Sequence, residues 1–483
     1  MDLITIIFIG YLFFLLLIGL RTFKFNKTQE DYLLAGRRLG PWVTAFSERA
    51  SGESAWMFLA FPGAAILIGL GESWTVIGLI LGIIASWFLI AEKLRIETEK
   101  FNVLTIPDYL HQKYKDSTGI IRLFSSVIIS FFYTFYVSAQ FHASGKILNS
   151  LFNLDPISGI TIGAAVIIFY TLLGGFFAVA WTDFFQGILM LGTLVIVPVV
   201  GFIELSNFER NIFESLKSAE LVFQNGNSSF FKSKNGFIAL MVALNGLSWG
   251  LGYLGQPHLL IRYMAIKNAN DINYSRRIAI SMAIPSVIGA FSIGLIAVSH
   301  PDFGPTFFQN VDPEQAMPLL AKKLLHPILA GLFIAGAVAA MMSTADSQLL
   351  VSTSAVSEDM GLKFSKIKKD LNEVANSRII TMLLGLIAYG IAIFSQITGK
   401  TIFGVVSYAW SGLGSAFGPA LVMTLWWKKT RREGVIAGLF VGFLTTIIWA
   451  NFSELRQVFT ERLSSFLLSF LAVFLVSKYY KNS

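Results

Sequence analysis

Apolar runs of about 20 residues follow one another along the chain, separated by short polar stretches, and this alternation predicts helices that cross a bilayer. One such helix spans the ~30 Å of hydrocarbon. Thirteen runs can be read, at 2–20, 41–69, 73–92, 120–146, 156–179, 183–205, 236–262, 275–299, 325–356, 377–398, 401–426, 433–452 and 457–477. Two of them are interrupted. In the second, Ser47-Glu48-Arg49-Ala50-Ser51-Gly52-Glu53-Ser54-Ala55-Trp56 sets three charges and a glycine where apolar sequence should continue. In the seventh, Gly246 through His258 holds four glycines and a proline within thirteen residues, which weakens a helix.

Hydrocarbon offers no hydrogen-bond partners, so an interruption at that depth must face protein or a watery cavity. An ionisable group there costs at least ~2.5 kcal/mol and marks a solute or ion site. The two weak stretches lie five runs apart, which predicts two inverted repeats whose broken helices, two and seven, face each other at the midplane. The chain is then one membrane domain over 1–483: residues 1–40 a peripheral helix and a cytoplasmic loop, 41–205 repeat one, 236–427 repeat two, and 428–483 further peripheral helices. Close packing of helices over small residues would also select glycine.

Composition agrees with the membrane class. The chain is 54% hydrophobic and 14% charged, against roughly 25% charged residues in soluble domains. The first run lacks a basic leader and a small-residue cleavage site, so it reads as a retained helix. With no cysteine, disulfides and thiolate metal sites are excluded, and the five histidines are scattered without metal-ligand spacing. Alternate connections and the tail hold 26 of the 37 lysines and arginines, which predicts an outside N-terminus and a cytoplasmic C-terminus. The net charge of +8 then reflects this bias and contact with anionic lipid, not a nucleic-acid partner. The connection 206–235 is polar and reads as a flexible outer loop; its Asn227-Ser228-Ser229 matches a glycosylation sequon, a short match that arises often by chance and carries no weight.

Sodium is a hard cation that takes backbone carbonyls freed by a broken helix and hydroxyls from a neighbouring one. Run nine offers Ser343 and Thr344, followed within a turn by Asp346 and Ser347. Hydroxyls in membrane helices also commonly bond their own preceding turn. Trp249 and Tyr253, four apart, would share a helix face at the seventh-run interruption.

Several further segments make the chain resemble the sodium/solute symporter family, and within it the bacterial proline carriers. They are Asp31 through Arg37, Gly71-Glu72-Ser73-Trp74, Leu104 through Tyr109, Gly174 through Asp183, Trp249 through His258, Met342-Ser343-Thr344 and Ser407 through Trp410. The resemblance implies an all-α, LeuT-type fold with alternating access, in a bacterial plasma membrane. It implies sodium-coupled uptake of a small amino acid, L-proline first, with sodium as the co-transported ion and no organic cofactor. By position it puts Ala50, the Glu53 carbonyl, Ala340, Ser343 and Thr344 around the ion, and Asp183 at a second cation position. The substrate pocket would use Ser54, Ala55, Trp56, Tyr136, Gln140, Trp249, Tyr253 and Pro257; Arg37, Glu48 and Arg49 would serve coupling. Aromatic faces suit a proline ring and its ammonium, and half-helix ends suit its carboxylate.

The chain also departs from the family pattern. Gly52 stands where those symporters have aspartate, Glu53 where they have an apolar residue, and Glu48, Arg49, Gln140 and His142 replace small residues. Three readings stay open for Arg49 and Glu53: an ion pair that fixes the broken helix, a relocated carboxylate for a cation or proton, or an arginine facing the substrate carboxylate. Other functions remain as alternatives. One is sodium- or proton-coupled transport of another solute; a transporter-like sensor is another, although no signalling module follows the last run. No nucleophile or His/acid set suggests an enzyme, and no repeated filter sequence suggests a channel.

Overall fold

The apolar runs become helices in a computed structural model of the chain, which describes residues 3–22, 34–173, 175–232, 235–360, 373–456 and 459–480. The motif residues Asp31, Tyr32, Leu33 and Gly174, and the stretch 361–372 of the connection before run ten, lie outside the described residues. The first half comprises α1 (Leu3–Thr22), α2 (Pro41–Gly52), α3 (Phe61–Ile68), α4 (Ser73–Ser86), α5 (Glu92–Lys100), α6 (Ile106–Lys113), α7 (Ile120–Phe152), α8 (Pro156–Leu173), α9 (Phe176–Asn207) and α10 (Ile212–Phe223). The second comprises α11 (Gly236–Leu247), α12 (Pro257–Ala265), α13 (Ile272–Ser299), α14 (Gly304–Asn310), α15 (Ala316–Leu324), α16 (Pro327–Ser354), α17 (Glu373–Ile397), α18 (Ile402–Trp426), α19 (Arg432–Asn451) and α20 (Glu461–Tyr479). Among the described residues nine helical stretches are long and apolar enough to cross a membrane.

The connections are more ordered than their polarity suggests. Those at 93–119, 206–235 and 300–324 carry α6, α10, α14 and α15. The stretch expected to be a flexible loop instead forms α10, capped by the Asn211 side chain and burying Leu216 and Ala219. Asn227 is fully buried, its side-chain amide donating to the Ile66 and Leu67 carbonyls while its backbone carbonyl accepts from Leu70 N–H at 2.9 Å. Gly69 takes a positive φ of 72° at this docking point, a conformation that glycine adopts without strain.

α16 is the structural hub, buried along most of its length and packed against α1, α2, α7 and α9. α18, α19 and α20 pack on one another at the C-terminal end. α2 starts at Pro41, where a missing N–H costs nothing, and stops at Gly52. A second departure from α geometry follows α11, where residues Ser248–Gly255 wind as a 3₁₀ helix. There backbones approach closely: a Cβ on Gly82 would lie 2.3 Å from the Gly250 carbonyl oxygen, and one on Gly252 1.9 Å from Trp410 Nε1. Gly252→Val should therefore displace Trp410 and cost at least about 1–3 kcal/mol of overpacking. Thermal unfolding in detergent checks this, and a midpoint equal to that of the parent protein would refute the close packing.

Candidate functional site

The end of α2 shows how an interrupted helix stays satisfied. Glu53 N–H closes the last turn on the Arg49 carbonyl at 2.9 Å, with Glu53 itself at φ −95° and ψ 14°. The next donors have no helical acceptor, and side chains take over: Ala55 N–H donates to Gln140 Oε1 at 3.0 Å and Trp56 N–H to Ser54 Oγ at 3.2 Å. Gln140 comes from α7, so one glutamine on a neighbouring helix holds the gap. The 3₁₀ segment ends similarly. Gln256 is extended, Pro257 opens α12, and His258 N–H donates to the Tyr133 hydroxyl at 2.8 Å.

Two clusters form around these ends. One is aromatic. The Trp56 ring lies 4.6 Å from Trp249, Tyr253 lies 4.8 Å from Trp410, and Tyr136 meets both Trp410 and the Ser54 hydroxyl, the latter at 3.2 Å. Trp56 Nε1, Ser411 Oγ and Gln256 Oε1 are buried there without hydrogen-bond partners. The other cluster is oxygen-rich. Ser343 Oγ donates to the Ala50 carbonyl at 3.0 Å and sits 3.2 Å from the Ala340 carbonyl; Thr344 Oγ1 donates to the Ser51 carbonyl at 3.0 Å. Carbonyls near the end of one helix thus face adjacent hydroxyls of another, a donor set suited to a hard monovalent cation. Among the described residues no group of three or more His, Asp or Glu side chains is arranged for a metal ion.

The other expected residues are placed as follows. Asp183 is fully buried on α9, where its Oδ2 accepts from Ser47 Oγ at 2.7 Å and from Arg262 Nη2 at 2.9 Å. Arg49 pairs with its neighbour Glu48 at 2.5 Å and not with Glu53; Trp87 Nε1 adds a bond to that glutamate at 3.2 Å. Helical spacing suggested the Arg49–Glu53 pair, but Glu48 takes the Nε and Nη2 edge of the Arg49 guanidinium. Pro257 borders a narrow cleft with Leu104, Ile129, Val351 and Asp359, apart from the aromatic cluster. Arg37 stands away from both clusters, donating to the carbonyls of Met264, Thr98 and Val103 at 3.1, 3.3 and 2.6 Å. Trp249 and Tyr253 point to different neighbours because three residues per turn, not 3.6, govern the 3₁₀ segment.

Comparison with known proteins gives the architecture its context. The family model described as "Sodium:solute symporter family" matches residues 32–442. The chain belongs to the sodium:solute symporter family. Within it, the high-affinity proline transporter PutP of Bacillus subtilis is 39% identical over 467 residues, 96% of this chain and 95% of the relative. The sodium/proline symporter of Escherichia coli is 37% identical over 454 residues, 93% of this chain and 88% of the relative. A substrate-bound, outward-open Na⁺-coupled sialic acid symporter shares the fold with a TM-score of 0.75 at 17% identity, covering 100% of this chain and 98% of that one. Mhp1, a nucleobase-cation-symport-1 family transporter in a closed conformation, superposes with a TM-score of 0.52 at 12% identity, covering 93% and 96%.

Several residues of this symporter-family chain escaped sequence reasoning. Arg262 is fully buried and donates to Ser51 Oγ, Ser347 Oγ and Asp183 at 2.6, 2.5 and 2.9 Å, with Ser47 Oγ on its Nε at 3.1 Å. It looked like one more basic residue at the edge of a run. The available signal was its position four residues after His258, on the same face of a helix that Pro257 opens. Trp410 is the other omission: it was quoted as part of a motif but not as a contact of the aromatic cluster.

Proposed function

We propose that this chain is a sodium-driven importer of a small amino acid, L-proline first, working by alternating access in a bacterial plasma membrane. The observation that carries the reading is the meeting of the Ser343 and Thr344 hydroxyls with the Ala50 and Ser51 carbonyls, three residues or fewer from the end of α2. A sodium ion bound there by Ala50, Ala340, Ser343, Thr344 and the Glu53 carbonyl would tie α2 to α16. The aromatic cluster of Trp56, Tyr136, Trp249 and Tyr253, with Ser54, Ala55 and Gln140 around it, would hold the imino acid. Both sites use the same interrupted segment, so filling one preorganises the other, which is positive coupling by linkage.

In this reading α2 and the 3₁₀ segment before α12 are the broken second and seventh of thirteen spans, arranged as five-plus-five repeats over 41–205 and 236–427. The N-terminus faces outside and the C-terminus the cytoplasm, and Arg37 ties the cytoplasmic ends together. Glu48 and Arg49 serve coupling. Asp183 Oδ1, which lacks a hydrogen-bond partner, is the atom a second cation would use. The names of the two proline carriers support the substrate assignment.

Reconstituted in proteoliposomes, the protein should accumulate labelled proline when an inward sodium gradient is imposed and not with choline in its place. Uptake of another solute without competition by proline would remove the substrate assignment; uptake indifferent to sodium would remove the coupling.

A further inference from the structure

We propose that Arg49 and Glu53 form a two-point clamp for a zwitterion, with Arg49 Nη1 receiving the substrate carboxylate and Glu53 Oε1 its ammonium. The inference rests on the reading of the chain as an amino-acid carrier and names the side chains that select the substrate class.

Arg49 is fully buried. Its Nε and Nη2 are engaged by Glu48 at 2.7 and 2.5 Å, and its Nη1 has no partner. Glu53 is 2% exposed, and its Oε1 has no partner either. Each orphan atom belongs to a charged group, and leaving such an atom unmatched inside a protein is costly. The two charges are opposite and only four residues apart, yet they form no direct ion pair, because Glu48 takes the Nε and Nη2 edge of the guanidinium. A ligand that carries both charges on neighbouring atoms completes both at once; a simple carboxylate or a simple amine completes one.

Three further observations place the pair at the candidate substrate site. The Arg49 guanidinium lies 5.4 Å from the centre of the Tyr253 ring. Glu53 directly precedes Ser54, whose hydroxyl meets Tyr136. Gly52 leaves the room: a Cβ there would sit 3.3 Å from Arg49 Nη2, so a side chain at this position would crowd the guanidinium. Charge balance agrees. Glu48 cancels Arg49, leaving the negative charge of Glu53; one sodium ion and one net-neutral zwitterion bring the loaded segment to zero.

The test uses the reconstituted full-length protein at saturating sodium, with Arg49→Gln and Glu53→Gln variants. The probes are proline, prolinamide (no carboxylate) and tetrahydrofuran-2-carboxylate (a ring oxygen in place of the ammonium). Arg49→Gln should raise the KM for proline about 10- to 100-fold, the loss of one charge-assisted hydrogen bond, and leave the inhibition constant of prolinamide unchanged. Glu53→Gln should weaken proline by a similar factor and leave tetrahydrofuran-2-carboxylate unchanged. The half-saturating sodium concentration, read at saturating proline, should stay within about twofold in Arg49→Gln. A variant that weakens all three compounds alike, or that leaves proline unaffected, overturns the clamp.

Should Arg49→Gln fail to fold because Glu48 is stranded, the Glu48→Gln/Arg49→Gln double variant removes both charges and carries the same expectation for prolinamide. If the parent protein carries a different amino acid, the same comparison with that amino acid, its amide and its ammonium-free analogue tests the clamp, so the proline assignment can fail alone. Transport of a solute that is not a zwitterion would overturn both.

Discussion

With Ser343 and Thr344 both replaced by alanine, the sodium concentration for half-maximal uptake rises more than about 100-fold while the protein remains folded. Ser343 Oγ faces the Ala50 carbonyl and Thr344 Oγ1 the Ser51 carbonyl, each at 3.0 Å. A hydrogen bond or ligand contact to a charged partner is worth about 1.5–3 kcal/mol, so two lost together amount to about 3–6 kcal/mol against a tenfold change per 1.4 kcal/mol. Folding suffers less, because truncating a hydroxyl leaves its carbonyl partner one remaining lone pair to satisfy and opens little volume. Sodium titration of proline uptake with each single variant and the double separates the contributions. An unchanged sodium requirement in the double variant would dismiss this cluster as the ion site.

The second large effect concerns the buried ion pair beside it. Asp183→Asn strands the Arg262 guanidinium, and Arg262→Gln strands the Asp183 carboxylate; each should cost about 3–5 kcal/mol of stability. The pair is fully enclosed at 2.9 Å, and the guanidinium is further held by Ser47, Ser51 and Ser347. Removing both charges together should recover much of the loss, since the double variant leaves no lone buried ion. Thermal unfolding of the four proteins in one detergent measures the coupling. Strict additivity would show that the two side chains are near each other without depending on each other.

These residues also show what a sequence can and cannot reveal. The polar stretch 47–56 stood out because it interrupts an apolar run, and α2 ends at Gly52 within it. Its charges do not stop the helix where they begin, because Glu48 and Arg49 pair with each other and the helix continues past them. The hydroxyls of α16 were legible as an adjacent pair. Their partner carbonyls were assigned by family position, and Ser51 came to light only from the packing of α2 on α16. Arg262 was hard to read, because Asp183 lies 79 residues away and the local spacing from His258 says nothing of that partner. The Tyr253 face was misjudged because periodicity assumes α geometry, whereas Ser248–Gly255, with glycines at 250, 252 and 255, winds more tightly.

One contact far from these clusters bears on how the protein is best produced. The Asn227-Ser228-Ser229 tripeptide matches the acceptor pattern for oligosaccharide transfer in hosts with a secretory pathway, yet the amide nitrogen that would carry the sugar is already committed to the Ile66 and Leu67 carbonyls. A glycan added before folding would keep residues 225–229 from seating on the turn at Gly69. Yeast or insect-cell material should therefore be heterogeneous and less stable than material from a host that does not glycosylate, and Asn227→Gln would not restore it, because the longer side chain cannot repeat the same two bonds.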